Sequence, residues 1–351
     1  MRVAQIAPLT EPVPPSFYGG IERVVSHLTD ELVSMGHDVT LFASGDSTTR
    51  AKLVAGWPRA LRSDPGYSDP ITPHVVMLEE VARRAGEFDI LHFHFDYWYF
   101  LRFAPESVPV LTTLHGPLDL QAPTYEPLPG VSLVSISDAQ REQLPQGRFL
   151  RTVYHGIRPN LLLPQPARQS YLAFLGRISP EKGVDKAIHI AGQAGLMLKI
   201  AAKVDLADRV YYESEIRPLI KASPWVEFVG EINDAQKSAF LSRAHALLFP
   251  ISWSEPFGLA MIESMAYGTP VIAFDRGSVP EVVEDGLSGF VVGNEAAAVQ
   301  AVRRLGELDR RLVRRQFDRR FTARRMAADY VSLYQRLCGH ACVAGAAAAS
   351  T

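Results

Sequence analysis

The chain has 351 residues, enough for two domains of ordinary size, and its 47% hydrophobic and 21% charged content is typical of a globular protein. A formal net charge of -2 and a pI of about 6.6 exclude the strong positive field of a nucleic-acid-binding protein. Two cysteines, Cys338 and Cys342, are too few for a disulfide framework or a convincing metal site. We expect a cytoplasmic protein, because the N-terminus reads as a strand rather than a signal peptide and no apolar run reaches the ~20 residues of a membrane span.

The first half of the chain has the pattern of a parallel, doubly wound sheet. An apolar strand over 3–7 is followed by a Pro/Gly-rich loop, a helix over 21–35 with one apolar face, and a strand over 38–43. Further elements are predicted at a helix over 74–85 and at strands over 89–95, 108–114 and 131–136.

The same pattern restarts after a proline-containing segment, 157–170, which we interpret as a linker. Strands are predicted over 171–175, 198–202, 226–229, 246–249, 271–274 and 289–292, with helices over 184–194 and 235–244. Two successive βα arrays indicate two Rossmann-like domains.

The segment 299–325 is helical in pattern and holds ten arginines, mostly in pairs. It is either a solvated helix face or a peripheral contact with an anionic membrane or an acidic partner.

The most informative string is E-P-F-G-L-A-M-I-E-S-M-A-Y-G-T-P-V, which begins at Glu255. Glu255 precedes a turn that opens onto an apolar helix, and Glu263 lies about one turn into that helix. The first N–H groups of a helix lack partners and favour an anion. A nucleotide sugar, with a charged middle and hydroxyl-bearing ends, would suit this layout.

Three other strings add polar groups at predicted strand ends. Arg177 and Lys182, in G-R-I-S-P-E-K-G, would face a diphosphate at the carboxyl end of a strand. Gly19 and Gly20 would let the backbone approach a phosphate. The third set, in H-F-H-F-D and T-L-H-G, supplies three histidines and an aspartate that form either a metal site or the rim of an active site: His92, His94, His115 and Asp96.

Taken in order, these strings resemble those of the retaining glycosyltransferases of family 4, over nearly the whole chain. The resemblance implies an α/β protein with the GT-B fold, in which two Rossmann-like doubly wound domains face a cleft. It implies an acceptor-binding domain over 1–157, a donor-binding domain over 158–321, a helix over about 322–338 that packs back on the first domain, and a frayed tail over 339–351. The opening Y-G-G-I-E-R-V-V is also similar to a compact bacterial subgroup that includes pterin and antibiotic glucosyltransferases.

Site roles follow from the resemblance. Catalytic roles fall to His115, Glu255, Arg177 and Lys182. Donor binding falls to Gly19, Gly20, Arg177, Lys182, Gly230, Glu255, Phe257, Gly258, Leu259 and Glu263. Acceptor binding falls to Tyr97, Asp96 and Asp119.

The expected reaction moves a hexose, with glucose the first choice, from a UDP-sugar to a hydroxyl of a small-molecule, glycan or lipid acceptor, with retention. No D-x-D element stands out, and Arg177, Lys182 and a helix N-terminus can offset leaving-group charge, so we expect transfer without metal or cofactor. A glycoside hydrolase or phosphorylase, a sugar-nucleotide epimerase and an inactive binding protein are the alternatives. The sequence indicates no nucleic-acid partner and no particular oligomeric state.

Overall fold

The computed structural model describes residues 1–17, 19–64, 69, 71–95, 108–118, 132–159 and 169–348, with the backbone alone for 340–348. It divides the chain into two compact units. The first unit is Met1–Gly156 together with Ala323–Thr351, and the second is Ile157–Thr322.

The described part of the first unit forms one seven-stranded parallel sheet. Its strands are β1 (Arg2–Ile6), β2 (Asp38–Ser44), β3 (Lys52–Trp57), β4 (Ile90–Phe93), β5 (Val110–Thr113), β6 (Ser132–Ser135) and β7 (Phe149–Thr152). The order across the sheet is β3-β2-β1-β4-β5-β6-β7. The chain therefore reverses its direction of travel across the sheet between β1 and β4, and such a switch point is where open α/β sheets bind ligands.

The helices α1 (Gly20–Ser34) and α2 (Ile71–Arg84) bury apolar faces in this unit, and a short polar helix, α3 (Asp138–Glu142), follows β6. In α1 the core-facing positions Val24, Val25, Leu28 and Leu32 are fully buried, at the spacing that puts them on one stripe. The central strands β1, β4 and β5 are almost completely buried, as expected for a sheet covered on both sides.

The second unit repeats the design with six parallel strands in its described part. They are β8 (Tyr171–Arg177), β9 (Leu198–Lys203), β10 (Val226–Gly230), β11 (Ala244–Phe249), β12 (Val271–Phe274) and β13 (Gly289–Val292). Their order is β10-β9-β8-β11-β12-β13, so the switch point lies between β8 and β11.

The helices of this unit, which continue the numbering, are α4 (Val184–Ala194), α5 (Arg209–Tyr211), α6 (Arg217–Ala222), α7 (Asp234–Ser242), α8 (Leu259–Ala266), α9 (Val279–Val282), α10 (Glu295–Arg303) and α11 (Arg310–Arg320). Between α5 and α6 lies a π-helical turn, Tyr212–Ile216.

The last helix, α12 (Ala323–Ala348), belongs to the first unit and packs on α1. Its Tyr330 and Tyr334 are buried. The backbone is helical over 339–348, in a segment where the sequence predicts a frayed tail, and the alanines there have a high helix propensity. Across the described residues, no helix combines the length and apolarity needed to span a bilayer.

Candidate functional site

Two loops meet at the switch point of the second unit, one after β8 and one after β11. The Ser252 N–H donates to the Glu181 carbonyl at 2.9 Å. Gly183 has φ +69°, and a Cβ there would lie 2.2 Å from the Pro250 carbonyl oxygen. The glycine of the K-G pair is therefore required for the two loops to touch.

This contact brings Lys182 and Glu255 together, although 73 positions separate them in the chain. Lys182 Nζ donates to Glu255 Oε2 at 2.5 Å, and Trp253 Nε1 donates to the same oxygen at 2.9 Å. The ammonium also lies 4.7 Å from the centre of the Trp253 ring, within cation–π range. Among the described residues, Glu255 Oε1 has no hydrogen-bond partner.

The loop after β12 holds the Glu255 backbone. The Ser278 N–H donates to the Glu255 carbonyl at 3.0 Å. Gly277 has φ +53°, and a Cβ on it would lie 2.5 Å from both the nitrogen and the oxygen of Glu255. Glu255 is thus fixed by three loops at the carboxyl edge of the sheet.

Glu263 is paired with a second lysine, Lys237. Its Oε1 accepts from Lys237 Nζ at 2.7 Å, and both residues are only 7% exposed. Lys237 also lies 3.2 Å from Asp234 Oδ1, one turn away on α7. In each of the two predicted glutamates, one carboxylate oxygen therefore accepts a hydrogen bond from a lysine. In the described part of the chain, the other oxygen of each has no hydrogen-bond partner.

The three residues at the start of α8 differ in what they expose. The Phe257 side chain is 2% exposed and packs edge-on to Phe321, so only its backbone can meet a ligand. Gly258 has φ +80° and precedes the helix, with no side-chain cap there. Leu259, the first helical residue, is half-buried. An uncapped helix start beside Glu255 leaves backbone N–H groups for an anion.

Arg177 and Lys182, which the sequence predicts as joint diphosphate ligands, pair with different carboxylates. Arg177 Nη2 donates to Glu181 Oε1 at 2.7 Å, and its Nε lies 3.3 Å from Asp208 Oδ2. Gly230 ends β10, at the edge of the sheet, with φ +82°.

In the first unit, the predicted glycine loop leads directly into α1, which begins at Gly20. Gly19 is extended, and a Cβ on it would lie 2.7 Å from Pro15 Cβ, so close packing explains this glycine. Glu22, in the first turn, is 5% exposed, and burial raises its pKa to about 7. Its Oε1 accepts from the Glu11 N–H at 3.3 Å.

The three predicted histidines lie together at the switch point of this sheet. His94 Nδ1 is 3.1 Å from His115 Nε2, and the ring centroids of His92 and His94 are 4.1 Å apart. His155 stacks on His115 at 5.1 Å. Burial lowers the pKa of His115 to about 3 and the pKa values of the other three rings well below 6.5, so all four are neutral near neutral pH.

The alternative of a metal at these histidines does not fit their contacts. His92 Nδ1 and Nε2 bond to Tyr334 Oη at 2.7 Å and Thr113 Oγ1 at 2.8 Å, and His94 Nε2 bonds to Gln5 Oε1 at 2.7 Å. Within the described ranges, no three His, Cys, Asp or Glu side chains are grouped to hold a metal ion. Asp96, the carboxylate of this set, lies outside the described residues, as do Tyr97 and Asp119 of the predicted acceptor site.

Four site neighbours carry no signal that the sequence analysis used. In the sequence, nothing distinguishes Lys237 from a lysine on the surface of a helix. Trp253 precedes Glu255 by two residues but belongs to no motif that the sequence analysis used. Tyr334 lies far along the chain on α12. Gln5 could have been found, because it is a polar residue in the otherwise apolar strand V-A-Q-I.

The arginine-rich segment is partly structural. Arg310 Nη1 donates to the Ala244 carbonyl, Arg314 Nη1 to the Ala266 carbonyl at the end of α8, and Arg320 Nη2 to the Glu281 carbonyl in α9. Arginines at helix ends satisfy carbonyls that have no intrahelical partner. Arg311, Arg315 and Arg319 are exposed along one face of α11, and a membrane contact through them stays a prediction.

Two family models match this chain. The model for glycosyl transferases group 1 matches residues 163–320, and that for glycosyltransferase family 4 matches residues 18–172. The chain belongs to the family-4 glycosyltransferases. Its fold is accordingly GT-B, with two Rossmann-like domains.

Relatives of this family-4 glycosyltransferase agree with that assignment over most of its length. A phosphatidyl-myo-inositol mannosyltransferase of Mycobacterium leprae is 26% identical over 340 residues, covering 86% of each chain. AviGT4, a glycosyltransferase involved in avilamycin A biosynthesis, has a TM-score of 0.74 at 25% identity, covering 96% of this chain and 98% of that one. HepE of Anabaena, solved in complex with UDP-glucose, has a TM-score of 0.71 at 15% identity, covering 95% and 99%, and supports the fold alone.

Proposed function

We propose that this glycosyltransferase moves a hexose, with glucose the first choice, from a UDP-sugar to a hydroxyl of a small-molecule, glycan or lipid acceptor, with retention of configuration and without a metal ion. The observation that carries the proposal is the Lys182–Glu255 pair beside the uncapped start of α8. A cation, a carboxylate and free N–H groups converge there at the switch point of a doubly wound sheet.

Each group has a role in this proposal. Lys182, with Arg177, holds the diphosphate and offsets the charge that develops on it as the glycosidic bond breaks. The second oxygen of Glu255 accepts from sugar hydroxyls and that of Glu263 from ribose hydroxyls. Backbone N–H groups at 257–259 face the phosphate and sugar, and Gly19, Gly20 and His115 complete the donor site, with Gly230 near the base.

The chemistry needs no covalent intermediate on the protein. The acceptor oxygen attacks the anomeric carbon on the face from which the nucleoside diphosphate departs. The leaving phosphate oxygen takes the acceptor proton. A product with the anomeric configuration of the donor, determined by proton NMR, supports this route, and inversion contradicts it.

UDP is the nucleotide that we propose first, and HepE, which has the same fold, was solved in complex with UDP-glucose. The first experiment is a thermal-shift series with UDP, GDP, ADP and TDP, since a ligand of the native state raises its melting temperature by mass action. We expect a rise with UDP that Lys182→Ala abolishes.

Lys199→Ala is the matched control for that series. Lys199 also forms an ion pair, with Glu227 at 2.7 Å, but lies near the amino end of β9, away from the ligand edge. It should keep the UDP-dependent rise. No rise with any of the four nucleotides contradicts the proposal and favours a hydrolase or phosphorylase. Loss of product formation in a chelator contradicts the metal-independent part alone.

A further inference from the structure

A buried chain of polar side chains links the last helix of the first unit to His115. It runs from Tyr334 on α12 through Gln5 on β1 and His94 after β4, and all three are fully buried. Gln5 Nε2 donates to Tyr334 Oη at 3.0 Å, and Gln5 Oε1 lies 2.7 Å from His94 Nε2. His94 Nδ1 then lies 3.1 Å from His115 Nε2.

The direction of each hydrogen bond follows from the one before it. An amide oxygen can only accept, so His94 Nε2 carries a hydrogen and donates it to Gln5 Oε1. A neutral imidazole has one donor and one acceptor nitrogen, so His94 Nδ1 accepts. The donor to it is His115 Nε2.

One nitrogen of His115 is then left as an acceptor. With the hydrogen on Nε2, Nδ1 has a lone pair and no hydrogen. That atom is buried and has no hydrogen-bond partner among the described residues. Burial of an unmatched polar atom costs free energy, so its retention points to a ligand group that donates to it.

The rings of His94 and His115 stay neutral near neutral pH, so each has one donor and one acceptor nitrogen. Burial lowers the pKa of His115 to about 3 and that of His94 well below 6.5. Burial also raises the pKa of Tyr334, so its hydroxyl keeps its hydrogen, and Tyr334 Oη lies 2.7 Å from His92 Nδ1. Every member of the chain is therefore uncharged.

We propose that Gln5 and His94 are positioning residues, which hold His115 in the tautomer whose Nδ1 accepts a hydrogen bond from a hydroxyl of the donor sugar. This inference rests on the proposed function for its ligand. It makes the site selective for a hydroxyl hydrogen at that position of the sugar, where an acceptor-only group is disfavoured.

The tautomer can be read without any activity. Long-range ¹H–¹⁵N correlation spectra of histidine-labelled protein separate nitrogens that carry hydrogen from those that do not, and His115→Gln identifies the signals of His115. We expect Nε2 of His115 to carry the hydrogen and Nδ1 to lack it. Gln5→Met, which removes the acceptor for His94, should convert His115 to a mixture of tautomers. A hydrogen on Nδ1 in the unaltered protein, or an unchanged spectrum in Gln5→Met, overturns the proposal.

Kinetics provide the second test. His94→Phe keeps a ring but no acceptor, and we expect kcat/KM for transfer to fall on the order of 100-fold, as misplacement of a contacting group does. His94→Asn places an amide oxygen near the former Nδ1 and should restore a large part of that loss. Affinity for UDP alone should be the same in both variants.

Tyr330→Phe is the matched control. It removes a buried hydrogen bond of the same cluster, between Tyr330 Oη and Thr113 Oγ1 at 2.7 Å, which is not part of the chain from Tyr334 to His115. It should leave kcat/KM near that of the unaltered protein. A loss in Tyr330→Phe equal to that in His94→Phe, or no recovery in His94→Asn, overturns the proposal and assigns the cluster to folding alone.

Failure of the proposed function is recognised separately. If no nucleotide sugar supports transfer and UDP does not bind, the spectra still decide the tautomer of His115. If UDP binds and transfer occurs but the spectra show the opposite tautomer, the function stands and this inference fails.

Discussion

The two units place polar groups at the same point of the same kind of sheet, but by opposite physical means. The second unit uses charges: Lys182 with Glu255, and Lys237 with Glu263. The first unit uses neutral groups, with four histidine rings kept uncharged by burial. Charged pairs suit a site that exchanges its internal partners for an anionic ligand, whereas neutral rings suit the recognition of uncharged hydroxyls.

Burying charged groups and burying neutral polar groups have different costs in free energy. A buried charge is tolerated only with a partner, so loss of one lysine leaves an uncompensated carboxylate. A buried neutral network loses one hydrogen bond at a time. Variants of the two units should therefore differ in the size of their effects on the free energy of unfolding.

The largest effect is expected at the Lys237–Glu263 pair. Lys237→Met leaves Glu263 buried without its cation, and we expect the free energy of unfolding to fall by about 3–5 kcal/mol. The double variant Lys237→Met/Glu263→Leu should recover most of this loss. Urea unfolding measures both, and a loss below about 1 kcal/mol in the single variant would remove the contrast between the units.

The next effect concerns Glu22, the buried acid of the first unit. Its pKa is about 7 when folded and 4.5 ordinarily, so between these values the folded state holds a proton that the unfolded state has released. Stability from this group is complete below pH 4.5 and is lost as the pH rises to about 7, with a total on the order of 3 kcal/mol.

Glu22→Gln isolates that contribution, because its amide oxygen can still accept from Glu11. Relative to the unaltered protein, it should gain stability progressively from about pH 5 to pH 8, while the histidines act equally on both proteins. A stability difference that does not change with pH would show that Glu22 is charged in the folded state.

The smallest effect is expected within the neutral network. Tyr334→Phe removes the acceptor of Gln5 Nε2 and the hydrogen-bond partner of His92 Nδ1, and should cost about 1–3 kcal/mol. Tyr267→Phe is the control in the second unit, because the buried Tyr267 hydroxyl has no hydrogen bond among the described residues. It should be neutral or slightly stabilising, and equal losses in the two variants would show that the network adds nothing.

How much the sequence predicts also differs between the units. The Glu255 string is local: strand end, turn, carboxylate and helix stand within seventeen residues, so their proximity follows from the chain itself. The His115 network is not local, because Gln5 and Tyr334 are 329 positions apart. No periodicity or spacing brings them together, and only the packing of α12 onto the sheet does.

The missed elements have physical causes as well. β3 lies at the sheet edge and is half exposed, and it contains an alanine and a glycine, which strands disfavour, so Lys52–Trp57 gives a weaker strand signal than the central strands. The helical stretch α5 to α6 contains the π-helical turn Tyr212–Ile216 and a proline at the start of α6, which break the 3.6-residue period. The ends of β8, β11 and β12 were predicted closely because buried parallel strands read as apolar runs.

The most direct test of the central claim is a calorimetric titration of UDP and of UDP-glucose against the unaltered protein, Glu255→Gln and Glu263→Gln. We expect Glu263→Gln to weaken the binding of both ligands by about tenfold, or 1.4 kcal/mol, because both ligands contain the ribose. Glu255→Gln should remove the advantage of UDP-glucose over UDP without weakening UDP. Equal weakening of both ligands by Glu255→Gln, or no effect of Glu263→Gln on either, would contradict the assignment of the two glutamates.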